Sequence, residues 1–166
     1  MNEQDQVPKL LADYMRRNDR NWAYLIWTCK RLFEKQMQQT MQNAGAEPFK
    51  TSYIPFLAAV SLKKITNREL AKRAKVPKQA MSRTVKEMEE LGLIRTEKNQ
   101  KDGRSAYISL TPEGQKRLLL VKQAQQSIMD QYQQVVGEDN FTIAVDVLRQ
   151  IVTYHESLDQ NDSGDE

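Results

Sequence analysis

At 166 residues, 39% of them hydrophobic and 28% charged, the chain has room for one folded domain with an appended helical element. It has neither the run of about 20 apolar residues that spans a bilayer nor, over Met1 to Lys9, the apolar core of a secretory signal. A single Cys29 and a single His155 exclude an intrachain disulfide and a four-ligand zinc site, and the net charge of +3 is too small to dominate the whole molecule.

In chain order, residues 1–18 are polar and read as a flexible N-terminal segment. From Asn21 to about Asn43, Trp22, Ile26, Cys29, Phe33, Met37 and Met41 recur every three or four residues, the stripe of a long amphipathic helix. Gly45 and Pro48 end it, so that 19–48 forms an N-terminal dimerisation helix. A second helix starts near Thr51 or Ser52, with Pro55 in its first turn and Phe56, Leu57 and Val60 on its apolar face. Thr66-Asn67-Arg68-Glu69 is a capping box that opens a third. Pro77 disfavours helix at Val76 and suits the first turn of a fourth, which runs to about Leu91 and stops at Gly92. Two short helices joined by about three residues make a helix-turn-helix.

Beyond Gly92 the apolar period drops to two. Residues 93–98 and 105–110 read as strands, with Ala106, Ile108 and Leu110 on one face and Asp102-Gly103 in the turn between. Such a hairpin after a helix-turn-helix is a wing, and 49–111 is read as a winged helix-turn-helix domain. Thr111-Pro112 starts a long helix that Gly137 breaks, and a last helix covers about Asn140 to Leu158. Residues 112–159 thus form C-terminal dimerisation helices, followed by a disordered acidic tail over 160–166. The fold class is mainly α with a small β-hairpin wing.

The run Leu70-Ala71, Val76-Pro77-Lys78-Gln79-Ala80-Met81-Ser82-Arg83-Thr84-Val85 and Met88-Glu89-Glu90-Leu91-Gly92-Leu93-Ile94 resembles the helix-turn-helix of the MarR family of transcription regulators. Asp102-Gly103-Arg104 and Ile108-Ser109-Leu110-Thr111-Pro112-Glu113-Gly114 resemble that family's wing and the helix after it. The motif similarity spans roughly Ile65 to Gly114; the flanking helices agree in order and length. Pro77 departs from the family's frequent capping serine, and Asn99 and Lys101 from its usual Asp and Arg at the wing tip.

Residues 63–104 hold thirteen Lys/Arg against six Asp/Glu, while the rest of the chain is net negative. That is the footprint of a polyanion-binding module, although a solvated basic face gives the same pattern. On the fourth helix Met81, Val85 and Met88 share a core face. Lys78, Gln79, Ser82, Arg83 and Lys86 point outward with the donors that bases and phosphates require. The resemblance implies DNA contacts for Gln79, Ser82 and Arg83, and a role for Asp102 in orienting Arg104. Arg104 suits a narrow minor groove, and Lys98 and Lys101 suit phosphates. Lys63, Lys64, Arg68, Lys72 and Arg73 are further candidates for backbone contacts.

The long terminal stripes exceed what so small a core covers, which predicts a homodimer on a pseudo-palindromic double-stranded site. The resemblance implies a regulator, by default a repressor, and a small aromatic or phenolic effector; Tyr24, Trp27, Arg31, Tyr53 and Phe56 are the candidates to hold it, or are ordinary packing. Cys29, inside an apolar stripe, is expected to be buried and inert. No catalytic group, metal or cofactor is expected, nor a membrane, and the expected compartment is the cytoplasm. The alternative function is a winged-helix adaptor that binds protein instead of specific DNA.

Overall fold

A computed structural model of the chain describes residues 3–16, 21–60, 63–74, 78–98 and 106–162. The elements are α1 (Glu3–Arg16), α2 (Trp22–Asn43), a 3-10 turn (Thr51–Tyr53), α3 (Ile54–Val60), β1 (Ile65–Thr66), α4 (Asn67–Ala74), α5 (Lys78–Glu90), β2 (Ile94–Lys98), β3 (Ala106–Leu110), α6 (Pro112–Val136) and α7 (Glu138–Asp162). They form two units, residues 1–121 and residues 122–166.

The first unit is a winged helix. Its three-stranded antiparallel sheet has the order β1-β3-β2, in a register that sets Ile65 and Thr96 opposite Ile108 and Ile94 opposite Leu110. Ile65, Ile94, Ile108 and Leu110 are buried, joined by Phe56, Leu57, Val60, Leu70, Met81, Met88 and Leu93 from the helices and the turn. Each such side chain contributes roughly 1.5–3 kcal/mol on burial, which is what fastens α3, α4 and α5 to the sheet.

Helix ends follow their local chemistry. Asn21 caps α2 by accepting from the Tyr24 amide at 3.1 Å. At its other end Gly45 takes φ +68°, Ala46 N donates to the Met41 carbonyl and Gly45 N to that of Gln42. This is a Schellman ending. The same pair of bonds ends α5: Gly92 at φ +66° donates to Glu89 O and Leu93 to Met88 O. Arg117 on α6 is buried and holds the segment after α2, donating to the carbonyls of Ala46 and Pro48 and pairing with Glu113.

Several features differ from the sequence reading. Residues 3–16 are helical where a frayed segment is expected, and α7 extends to Asp162, into the stretch expected to be disordered. The stripe of α2 is buried only at its C-terminal half: Met37 and Met41 are inaccessible, whereas Trp22 and Ile26 are exposed. Cys29 is exposed, not buried. Its position on the apolar stripe is right, but nothing among the described residues covers this turn of α2. In the second unit Gly137 at φ +86° separates α6 from α7. Ile143, Val147, Leu148, Val152, Tyr154 and Leu158 of α7 are exposed.

Candidate nucleic-acid interface

The helix-turn-helix is set by two local devices. In the capping box at α4, Thr66 N donates to Glu69 Oε2 at 2.7 Å and Glu69 N donates to Thr66 Oγ1 at 3.2 Å. The Thr66 hydroxyl also donates to Glu69 Oε2, at 2.9 Å, and the two bonds from the Thr66 amide and hydroxyl hold the Glu69 carboxyl below the usual carboxylate range. At the far end of α5, Glu89 accepts from Thr96 N at 3.1 Å and from its hydroxyl, which ties the helix to β2. β2 thereby takes a fixed place beside α5.

α5 presents two faces. Met81 and Met88 are buried, and Val85 is half-buried. Ser82, Arg83 and Lys86 are exposed on the other side. Arg83 Nε donates to Glu87 Oε1 at 3.1 Å, and Lys86 lies 3.8 Å from Glu90. Glu87 is the hub of a small network that spacing along α5 alone does not reveal. Its Oε2 accepts from Lys50 Nζ at 2.7 Å and from the Tyr53 hydroxyl at 3.3 Å. Lys50, followed by Arg83, lowers the pKa of the Glu87 carboxyl, and bonding to Glu87 raises that of Lys50. The Arg83-to-Glu87 spacing of four is a readable helix pair. The Lys50 and Tyr53 contacts span more than thirty positions and carry no sequence signal.

The backbone of α5 includes Lys78 and Gln79, whose side chains lie outside the described ones, and Lys98 is exposed at the end of β2. Lys101, Asp102 and Arg104 lie outside the described residues, as does any ion pair between the last two. Two of the other cations are engaged within the protein: Lys64 pairs with Glu97, and Arg73 donates to the Ala59 carbonyl at 3.3 Å. Arg68 and Lys72 are exposed.

The aromatic and cationic candidates for an effector do not share one environment. Tyr24, Trp27 and Arg31 are exposed on α2, while Tyr53 and Phe56 are only 2% and 3% exposed. Tyr53 packs edge-on against Phe49 with centroids 6.4 Å apart, and its hydroxyl serves Glu87. Packing accounts for both buried rings. No described helix is long and apolar enough to cross a membrane.

Residues 49–105 match the sequence model of the MarR family. No curated protein sequence is significantly similar to the chain. Among solved structures, the fold is similar to that of the transcriptional repressor CouR bound to a 23-mer DNA duplex, with a TM-score of 0.74 and 16% identity over 83% of this chain and 96% of that one. It is also similar to the M. tuberculosis regulator MOSR in complex with DNA, with a TM-score of 0.61 and 21% identity over 81% and 97%. A third is Bordetella bronchiseptica BpsR, whose DNA binding is regulated by 6-hydroxynicotinic acid, with a TM-score of 0.69 and 13% identity over 80% and 94%.

Proposed function

We propose that this chain, whose winged helix belongs to the MarR family, is a sequence-specific DNA-binding transcription regulator that acts as a cytoplasmic homodimer. The observation that carries the reading is the division of α5: Met81 and Met88 lock one face into the core, and Ser82, Arg83 and Lys86 stand exposed on the other. A helix held in this way reaches the floor of the major groove with donors while its backbone stays fixed. Lys78 and Gln79, in the first turn of α5, are further candidates for base and phosphate contacts. The wing, with Lys98, Lys101, Asp102 and Arg104, follows the adjacent minor groove and phosphates.

Dimerisation is supported by apolar side chains that the single chain leaves in water. Leu10, Leu11, Tyr14 and Met15 on α1, Trp22 and Leu25 on α2, and Val147, Leu148 and Val152 on α7 are all exposed. Apolar surface on this scale, carried by long helices, calls for a partner, and a two-fold second copy also doubles the DNA contact. The result is an inverted-repeat site with half-site centres about 34 Å apart.

Occupation of such a site in a promoter blocks transcription, so the chain acts as a repressor. A small aromatic effector releases it, as the regulation of BpsR by 6-hydroxynicotinic acid suggests. Tyr24, Trp27 and Arg31 lie on exposed turns of α2 and offer rings and a cation to an aromatic carboxylate, whereas Tyr53 and Phe56 are committed to the core.

Selection from a random duplex library, followed by titration at two salt concentrations, tests the reading. An enriched inverted repeat, with log affinity falling by about 0.9 per neutralised phosphate for each unit of log salt, is the expected outcome. Sequence-independent weak binding, with nothing enriched, contradicts it.

A further inference from the structure

An i,i+4 ion pair on an exposed helix is ordinarily a minor feature. The pair on α5 between Arg83 and Glu87 is different because the carboxylate is itself fixed. Glu87 is only 25% exposed, against 65% for Glu90, which pairs with Lys86 four residues earlier in the same pattern. Two donors outside α5 hold it: Lys50 Nζ at 2.7 Å and the hydroxyl of the buried Tyr53 at 3.3 Å. Both approach Oε2, leaving Oε1 for Arg83.

Arg83 uses Nε for this contact, at 3.1 Å. Nε is the guanidinium nitrogen that a two-pronged approach through Nη1 and Nη2 does not require. A guanine edge offers O6 and N7 to just such a fork. The Lys50 ammonium offsets the carboxylate charge, which reduces its repulsion of nearby phosphates.

Resting on the DNA-binding reading above, we propose that Glu87 is a positioning residue that fixes the Arg83 guanidinium so that it reads one guanine in each half-site. The anchor runs from the Lys50–Tyr53 segment through Glu87 to the exposed arginine. Specificity at that base pair therefore depends on a residue that never touches DNA.

The test titrates the full chain against an enriched duplex and all its single-base variants. Wild type, Glu87→Ala, Arg83→Ala and Arg83→Lys are compared. Both Arg83 variants lose preference at one G·C pair per half-site, Arg83→Lys while keeping its charge. Glu87→Ala loses roughly tenfold at that same pair, and its preferences elsewhere persist, which reports an intact fold. Unchanged preference at that pair in Glu87→Ala, or an equal loss at every position, overturns the proposal. So does an Arg83→Lys protein, altered at a position whose side chain is 83% exposed, that still prefers guanine there. A wild-type protein that favours no duplex over another overturns the DNA-binding reading itself.

Discussion

A Cβ placed on Gly114 would lie 1.8 Å from the carbonyl oxygen of Leu93. Gly114 sits in the first turn of α6, and Leu93 lies between the end of α5 and the start of β2. Thr111 stitches the same junction: its amide donates to Leu93 O at 3.1 Å, its hydroxyl donates to Gly92 O, and Gly114 N donates back to Thr111 Oγ1 at 3.0 Å. Thr111 and Gly114 therefore join the end of α5 to the start of α6. Gly114→Ala forces backbone apart and is expected to cost about 3 kcal/mol or more in urea unfolding. Thr111→Ala, which loses a cap, is expected to cost about 1–2 kcal/mol. A Gly114→Ala protein as stable as wild type would contradict this geometry.

Arg117 is a cation with 8% of its surface exposed, donating to the carbonyls of Ala46 and Pro48, with Nε lacking a hydrogen-bond partner. It gives the segment between α2 and the 3-10 turn its one buried charged anchor among the described residues. Arg117→Ala removes the donors and opens space, an expected loss of about 3 kcal/mol by urea unfolding. Arg117→Met fills the space without the donors and falls between Arg117→Ala and wild type. An equal or greater stability of the alanine protein would show that the anchor contributes nothing.

Acid should weaken the fold through three carboxylates. Glu69 is held low by Thr66, Glu87 by Lys50 and then Arg83, and Glu97 by Lys64. A carboxyl whose folded pKa is depressed adds stability that is complete above its ordinary value, about 4.5, and is lost as pH falls through the lowered one. The urea midpoint is thus expected to change little between about pH 7 and about pH 5.5 on account of these groups, then to drop. In Glu69→Gln the drop is shallower. Parallel acid profiles for the two proteins would remove Glu69 from the account.

The exposed stripe of α7 supplies a test of dimerisation. Leu148 and Val152 are four residues apart and are exposed by 42% and 53%. Neither side chain is among the buried ones. Val152→Asp is expected to raise the dimer dissociation constant at least tenfold, the cost of bringing a carboxylate into an apolar contact at two symmetric places. Sedimentation across a concentration series reads this directly, and an unchanged association would exclude this face from the interface.

Local chemistry made much of the winged helix legible. The capping box at Thr66, the breaks at Gly45, Gly92 and Gly137 and the alternation of Ile108 and Leu110 each depend on near neighbours in the chain, and each is where it was expected. β1 was not legible, because two residues make a strand only when β3 lies beside them. The helix over Glu3–Arg16 was missed although Val7, Leu10, Leu11, Tyr14 and Met15 carry helical spacing; the polar residues at its start masked it. Cys29 shows a different gap: periodicity says which way a side chain faces, not whether anything covers it. In the candidate interface, the exposure of Ser82, Arg83 and Lys86 followed from the pattern of α5, whereas the Lys50–Tyr53–Glu87 anchor came from long-range folding.

In the dimeric reading proposed above, two copies of α5 read two half-sites of one duplex. Hydroxyl-radical footprinting of the chain on its enriched duplex, with the mass of the complex measured in parallel, tests it most directly. Two protomers per duplex and two protected patches related by a two-fold axis, about 10 base pairs apart, are expected. A single protected patch with one protomer bound, or protection that follows no sequence, would contradict it.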